Sequence, residues 1–413
     1  MVRGFLALDL ALCVYLVVTQ GVAAWYAGQD SPDAIQQAIQ WDPYNPSYYV
    51  DLGRQVEHSF KAGNVKQAIE LYEQSATLSP HNADSWAALG YLYEWDGQVA
   101  KAQAAYERAG RLFPESVVIN WKIGNFYLRQ GNLDLAFPPI QKAMTEDQDI
   151  ARSSFDLVWR ASDDPRVIEA KLLPQRSDLL LAYLDYLAST DRMEDANRVW
   201  KTLLERGFDP EPRAAFPYLD ALIQHRQTGQ LRNVWDSLER KNPSASTGQA
   251  AGANLITNGD FESRILNGGL DWRISPTDGV VVSVDSVSFF DGTHSLRIRF
   301  DGKHNPDYQS IFQYVPVTPN TTYRFTGYLR VQDLTTDSGM EFQCYDADET
   351  SKPVFETDNL SGTTSWLPQQ SEFTTGPNTR LLLLRMIRPA SHKFENLISG
   401  TAWVDRISLN EVD

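Results

Sequence analysis

Gly63, Gly97 and Gly131 stand 34 residues apart, and the same interval separates Ala68, Ala102 and Ala136, then Tyr72, Tyr106 and Ile140, then Ser75, Ala109 and Ala143. A period of this length, with small residues at fixed offsets, constrains the chain more than any local propensity does. It marks a repeat architecture, in which one supersecondary unit cannot bury its apolar face alone and stacks on neighbours to make a continuous core.

The segment from Ala83 to Ser116 shows what each position does. Trp86, Leu89, Gly90 and Tyr93 fall on a first helix, Gly97 in a turn, Ala102, Tyr106 and Ala109 on a second helix, and Pro114 at its end. Gly90 and Ala102 let the helices approach, Trp86 and Tyr106 fill the space between repeats, Gly97 accepts the backbone of the turn and Pro114 stops the helix. The pattern resembles the tetratricopeptide repeat. The preceding unit, Pro46 to Pro80, keeps Leu52-Gly53 but carries about three extra residues near His58 to Phe60, which predicts a longer first helix. The following unit, Val117 to Ile150, keeps Ile123, Gly124 and Tyr127. Its Pro138-Pro139 predicts a second helix that starts late or kinks. Ser31 to Pro43 reads as a lone second helix. Ser177 to Gly207 and Ala214 to Lys241 read as degenerate pairs, with Ala196, Trp200 and Leu203 at repeat-like spacing and Gly229 in a turn.

The resemblance implies a protein-binding groove lined by the exposed face of each first helix. Those faces carry Arg54, Glu57 and His58, then Tyr91, Glu94 and Trp95, then Trp121, Asn125 and Arg129. Aromatic residues there suit anchoring of a protein partner; Trp95 and Trp121 equally suit packing against the next repeat. The lysine and asparagine set by which chaperone-binding members hold a peptide carboxylate is missing apart from Asn125.

Ahead of the repeats, the run from Phe5 to Ala27 is apolar except for Asp9, Thr19 and Gln20. Its length suits a bilayer crossing. Arg3 before it, with Asp30 and Asp33 after it, predicts by the positive-inside bias that the remainder is translocated. Val22-Ala23-Ala24 offers a cleavage site, so a signal anchor and a signal peptide both remain open. Either implies an exported cell-envelope protein, the anchor implying the inner membrane and the extracytoplasmic side. A net charge of -16 opposes a phosphate backbone, and no basic run with interleaved aromatics appears, so nucleic acid is not an expected partner. Besides Cys13 in the apolar run there is only Cys344, which cannot close an internal disulfide.

Residues 242–253, from Asn242 to Ala253, are small and polar and read as a flexible linker. Beyond them the helical period gives way to alternating runs at Gly279–Ser286, Ser295–Phe300, Ser310–Val315, Tyr323–Val331, Met340–Tyr345, Glu372–Thr375, Arg380–Ile387 and Ala402–Leu409. Such strands between Gly, Pro, Asn and Asp turns predict an antiparallel sandwich. The expected organisation is therefore a multidomain α and β chain. Residues 1–28 form a membrane helix or signal, 29–241 an α-solenoid of repeats, 242–253 a linker and 254–413 a β-sandwich of the jelly-roll kind.

The opening Asn254-Leu-Ile-Thr-Asn-Gly-Asp-Phe-Glu262, then Leu270-Asp-Trp272, Asp291-Gly-Thr-His-Ser-Leu296, Thr318-Pro-Asn-Thr-Thr-Tyr323 and Trp403-Val-Asp-Arg-Ile407 follow in order. Together they resemble carbohydrate-binding modules of the galactose-binding-like class, particularly the CenC-like group. That resemblance implies a structural calcium held by the carbonyls of Asp260 and His294 and the carboxylates of Glu262, Asp291 and Asp405, oxygen ligands that suit a hard cation. Hydrogen bonding of Glu262 and Asp405 within loops is the alternative. The resemblance also implies binding of a polysaccharide or oligosaccharide on a sheet face or its rim. Alternation nominates Arg324, Tyr328 and Arg330, continued by Gln343 and Tyr345, with Arg385 nearby and Gln313 and Tyr308 at the edge. The resemblance assigns Trp272, Trp366 and Trp403 to packing positions. A jelly roll in a repeat protein also suits docking of a protein.

No pair of the six histidines has the helical spacing of a zinc peptidase, and no phosphate loop, Gly-x-Ser-x-Gly elbow or Cys/His nucleophile arrangement appears. The expected function is a non-catalytic envelope scaffold whose repeats hold a protein and whose sandwich holds glycan, in synthesis, export or assembly of an exopolysaccharide. The alternatives are a pure protein-assembly adaptor and, third, a glycan-processing enzyme, since the paired carboxylates of a glycosidase are not readable from sequence.

Overall fold

The computed structural model describes residues 2–58, 64–162, 164–173, 176–241 and 254–412; the side chains of 2–11, 58, 148, 240 and 241 lie outside the description, as does the expected linker 242–253. The helices are α1 (Val2–Ala27), α2 (Pro32–Trp41), α3 (Pro46–His58), α4 (Asn64–Leu78), α5 (Ala83–Trp95), α6 (Val99–Leu112), α7 (Val117–Arg129), α8 (Leu133–Glu146), α9 (Gln148–Ala161), α10 (Pro165–Val167, running on into a π turn at Ile168–Leu172), α11 (Ser177–Ser189), α12 (Met193–Glu205), α13 (Phe216–Gln224) and α14 (Thr228–Lys241). Two compact units, 1–182 and 183–413, divide inside α11, so α12 to α14 belong with the sandwich.

In the first unit the repeat pattern becomes helix pairs. Asn82 Oδ1 accepts from the Asp84 and Ser85 amides to start α5, and Ser116 Oγ accepts from Ile119 N to start α7. Gly97 and Gly131 close the turns at φ +78° and +70°. The periodic glycines on first helices are contact points: a Cβ at Gly90 would stand 2.7 Å from the Tyr106 ring, and one at Gly124 2.3 Å from Ile140.

Three local expectations change. Helix α2 is not alone: Ala23 near the end of α1 is buried with Ile35, Ala38, Tyr48 and Leu52, so the end of the apolar run serves as the first helix of a pair. Helix α8 starts at Leu133 rather than late, and Pro138 and Pro139 lie inside it; Asn132 caps its start. The expected longer first helix at α3 falls partly on residues 59–63, which lie outside the description; α3 is described from Pro46 to His58. Gly229 lies in the first turn of α14, and the turn before that helix contains Arg226 at φ +57°. Among the described residues, no helix is long and apolar enough to cross a membrane. The first part of the expected span, residues 1–11, is not covered by that statement.

The sandwich has two strands more than expected: β1 (Arg273–Ile274), β2 (Val280–Asp285), β3 (Ser295–Asp301), β4 (Tyr308–Pro316), β5 (Thr322–Gln332), β6 (Glu341–Asp346), β7 (Phe355–Glu356), β8 (Leu367–Thr374), β9 (Leu381–Arg388) and β10 (Ser399–Glu411). One sheet has the order β1-β4-β9-β6-β7 and the other β2-β3-β10-β5-β8, all pairs being antiparallel. Alternate residues enter a common core: Ile311, Val315, Phe342, Cys344, Leu382, Leu384 and Met386 from the first sheet meet Leu296, Ile298, Phe325, Leu329, Val331, Ala402 and Val404 from the second.

Strand β9, Leu-Leu-Leu-Leu-Arg-Met-Ile-Arg, breaks the alternation. Leu382, Leu384 and Met386 face the core, yet Leu381, Leu383 and Ile387, on the other side, are buried as well. A near-continuous apolar strand is the mark of a sheet covered on both faces. Helices α13 and α14 supply cover on the outer side of this sheet, where α14 lies beside β4. The Phe216 and Trp235 rings lie against Gly268 and Gly269, where added Cβ atoms would stand 2.4 and 2.2 Å from them. Arg226 ion-pairs with Asp348 and donates to Ala347 O at 3.0 Å, and Arg273 ion-pairs with Asp220.

The loop that receives the two rings is tied by Asp271, whose carboxylate accepts from Leu266 N at 2.6 Å and Trp272 N at 2.7 Å while only 2% exposed. Burial, reinforced by the nearby Glu239, pushes its carboxyl up to about 7 from about 3.8. The neutral acid is thus favoured in the fold: its stabilising contribution is complete below about pH 4 and is lost as pH rises through about 7. Asp271→Asn stays neutral, so its melting temperature relative to the wild type should climb between pH 4 and 8. Melting curves of both proteins across that range check this; a constant gap would show that Asp271 titrates as an ordinary carboxyl.

Candidate functional site

The outer side of the first sheet carries a strip of aromatic and polar side chains in register. Phe312 of β4, Arg385 of β9 and Gln343 of β6 form one row, and Tyr314, Leu383 and Tyr345 form the next. They share a face because residues two apart on a strand point the same way. The Arg385 guanidinium lies 5.3 Å from the centre of the Tyr345 ring and donates to Gln309 Oε1 at 3.0 Å. Tyr345 donates its hydroxyl proton to Gln343, whose amide donates to Glu341 Oε1 at 2.8 Å. Burial raises the Glu341 carboxyl above its usual range. Phe312 and Tyr314 meet edge to face at 5.8 Å. The strip therefore sets half-exposed rings beside groups that donate and accept hydrogen bonds, which suits the apolar faces and hydroxyls of sugar rings.

Gln343, Tyr345 and Arg385 are brought together here. Arg324, Tyr328 and Arg330 share a face with one another, as alternation predicts, but it is the outer face of the second sheet. The chain crosses between sheets after β5, so β6 does not continue the side that β5 began. There Arg324 pairs with Glu372 at 3.0 Å, Phe290 stacks on Tyr328 at 3.7 Å, and Arg330 lies over Trp403 at 5.0 Å and donates to Ser288 Oγ at 2.8 Å. Tyr308 and Gln313 join neither face, since both are fully buried. Gln313 clamps Thr257, accepting from its amide at 3.0 Å and donating to its carbonyl at 2.9 Å. Tyr308 sits in the core, where burial pushes its hydroxyl pKa up. Sequence reasoning missed Phe312 and Tyr314, although their i, i+2 spacing on an alternating strand was the available signal. Trp272 is fully buried, donating to Asn258 O at 3.0 Å; Trp403 is buried too, and Trp366 is half-buried.

The five residues expected to hold calcium converge from three segments, but each carboxylate accepts protein donors. Glu262 Oε1 takes the Thr293 and His294 amides at 2.5 and 2.8 Å, and Oε2 takes the Thr293 hydroxyl at 2.5 Å. Burial would raise Glu262, yet these donors outweigh it and hold the carboxyl at about 2. Asp405 accepts from Phe290 N at 2.7 Å, Asp291 N at 3.1 Å and Arg406 N at 2.7 Å; burial nevertheless pushes it up to about 6. Asp291 pairs with Arg406, and Asp260 accepts from Glu262 N at 3.3 Å. Among the described residues no three His, Cys, Asp or Glu side chains are arranged to hold a metal ion together.

On the repeats, Tyr91 and Trp95 of α5 stand side by side at 6.3 Å, and Trp95 is 71% exposed, so it does not pack under the next repeat. Glu94 accepts two hydrogen bonds of 2.7 Å from Arg129 of α7, a bidentate tie between first helices. Trp121 is half-buried and its carbonyl accepts from Asn125 at 2.8 Å. Arg54 is exposed beside Asp51, and Glu57, near the buried Tyr72, helps burial push that hydroxyl up to about 12. The side chain of His58 lies outside the described residues.

The Carbohydrate binding domain model matches residues 253–390, and two Tetratricopeptide repeat models match 59–116 and 95–149. Among curated proteins the chain is similar to the keratan-sulfate endo-1,4-beta-galactosidase of Sphingobacterium multivorum, 30% identical over 159 residues, 38% of this chain and 31% of that protein. It is also similar to protein O-mannosyl-transferase TMTC1 of Mus musculus, 32% identical over 88 residues, 21% of this chain and 9% of that protein. The chain thus spans less than a third of the length of either relative. A solved structure described as CBM4 structure and function aligns with 38% of this chain and 99% of its own, at 13% identity and a TM-score of 0.29. With the family models falling on the helix pairs and on the sandwich, the chain is a tetratricopeptide-repeat protein with a C-terminal carbohydrate-binding domain.

Proposed function

We propose that this protein is a non-catalytic scaffold of the cell envelope, in which the repeats hold a protein partner and the outer face of the first sheet holds glycan. The observation that carries the reading is the strip of Phe312, Tyr314, Gln343, Tyr345 and Arg385, where rings and hydrogen-bonding groups lie in adjacent rows. The protein partner is assigned to the first-helix faces of α5 and α7, where the exposed Tyr91 and Trp95 adjoin the Glu94–Arg129 pair. Export is supported by the apolar run to Ala27 behind Arg3, in which Leu12, Val14, Tyr15, Leu16, Val17 and Val18 are all exposed. An apolar helix, protein-binding repeats and a glycan-facing sheet on one chain suit the synthesis, export or assembly of an exopolysaccharide.

Titration of the full chain against neutral, unbranched β-1,4-linked gluco-, xylo- and galacto-oligosaccharides and an oligouronide tests the glycan assignment. Arg385→Ala and Tyr345→Ala should each weaken the tightest ligand about tenfold, or about 1.4 kcal/mol, with unchanged circular dichroism. Arg324→Ala, on the other sheet, should bind as the wild type does. Absence of binding to any of the sugars would remove this reading and favour a protein-only adaptor.

A reporter active only in the cytoplasm, fused after Asp413, should be silent if the chain is exported; a strong signal would place the sandwich on the wrong side of the membrane for an envelope glycan.

Calcium is proposed at the junction of the segments around Glu262, Asp291 and Asp405, on the ground that their acidic groups converge there. A bound ion would have to replace some of the present donors. Calcium at a hundredfold excess over its dissociation constant should then stabilise the full chain by about 2.7 kcal/mol. Coincident melting curves in calcium and in chelator, from samples verified to be metal-free beforehand, would leave these loops to hydrogen bonds alone.

A further inference from the structure

Helices α13 and α14 lie against one end of the sheet on which the strip lies. They meet it at Gly268–Gly269 just ahead of β1 and at Ala347–Asp348 just beyond β6, as well as at Arg273 of β1 and along β4. Gly268–Gly269 and Ala347–Asp348 lie toward the end of the sheet where β9 begins: Ala347 N donates to Leu381 O, and Leu381 pairs with Pro316 at the end of β4. Leu381 and Leu383 are accordingly buried, whereas Arg385, Phe312 and Gln343, one row further on, are half-exposed. The helix pair therefore stands as a step along the boundary of the open rows.

Arg273 marks the corner where step and floor meet. It pairs with Asp220 of α13, donates to Gly269 O at 3.2 Å and lies over the Tyr314 ring at 5.7 Å. Its register partner is Phe312 in the open row. Its Nε is buried and has no hydrogen-bond partner, leaving a donor unused at this corner.

We propose that the glycan site is a composite groove, with the row of Phe312, Arg385 and Gln343 as its floor and α13, through Asp220 and Arg273, as its wall. This rests on the glycan reading given above and adds to it that the helices select the ligand. The charged groups of the wall are paired with one another, Asp220 with Arg273 and Arg226 with Asp348, while on the floor the Arg385 guanidinium meets neutral groups, Gln309 and the Tyr345 ring, so the lining offers both donors and acceptors. The floor crosses β1, β4, β9, β6 and β7, which at ~4.8 Å per strand spans about 19 Å. The ligand class is therefore a hydroxyl-rich glycan chain lying across the strands, several sugars long.

The test uses the full chain and the neutral β-1,4-linked oligosaccharides and oligouronide named above. Hydrogen exchange with the tightest ligand bound should slow at residues 216–224 of α13 as well as along β6 and β9. Asp220→Ala should weaken that ligand about fivefold, about 1 kcal/mol, and Asp220→Asn, which keeps an acceptor, should restore most of the loss. Protection confined to the strands, with Asp220→Ala binding as the wild type does while Arg385→Ala does not, would overturn the composite groove and leave the sheet site standing. Failure of every sugar to bind would overturn both readings.

Discussion

The outer side of β9 decides how the C-terminal half of this protein is built. A strand that sends Leu381, Leu383 and Ile387 away from the sandwich core exposes apolar surface unless something covers it, and covering a Leu side chain is worth about 1.5–3 kcal/mol. Helices α13 and α14 sit over the end of the sheet where Leu381 lies, and two consecutive glycines admit their aromatic rings. Gly269 serves twice: it takes φ +60°, which L residues rarely adopt, and it leaves room for Trp235. The boundary between compact units accordingly falls in α11 and not in the polar stretch 242–253. Helices that read as degenerate repeats act as part of the carbohydrate-binding domain's surroundings.

Much of the architecture was legible because it rests on periodicity. The 34-residue interval placed the helix pairs, and the close contacts of Gly90 with Tyr106 and Gly124 with Ile140 show what that interval encodes: a glycine on one helix facing a large side chain on the next. Strand alternation likewise placed eight of the ten strands. What was not legible were relations between elements distant in sequence. Alternation put Arg324, Tyr328 and Arg330 on one face correctly but was silent about which sheet β6 would join, so a single nominated site became two faces. It also could not show that Gln313, a polar residue on an alternating strand, points inward to clamp the backbone of Thr257. The signal for the covered face was present in the Leu381–Leu384 run, which alternation alone does not explain.

The charged groups show how this acidic chain tolerates carboxylates in its loops. Glu262 and Asp405 lie at the junction of the sandwich's first and last segments, and backbone amides from 290–294 meet both. Aligned amide donors stabilise an anion, and where enough of them converge, as on Glu262, they overcome burial. Asp405 has three amide donors and is nevertheless raised, because it is more deeply buried and lies near Glu262. Two carboxylates a few residues from the same turn thus end with opposite shifts. The difference follows from solvent access and the number of donors, and it makes this junction the place where a cation, if one binds, has most to offset.

The same balance distinguishes the two outer faces. On the second sheet the polar and aromatic groups are largely engaged with one another: Arg324 with Glu372, Arg330 with Trp403 and Ser288, Tyr328 with Phe290. Each such contact holds a side chain in one conformation and uses the surface a ligand would need. On the first sheet the network from Arg385 through Tyr345 and Gln343 to Glu341 runs along the floor. It fixes the orientation of groups that are still half-exposed, so a ligand would meet them without the entropy cost of ordering them. That preorganisation, with the helix pair beside it, is the physical reason to place recognition on this face and to read the opposite one as self-satisfied surface.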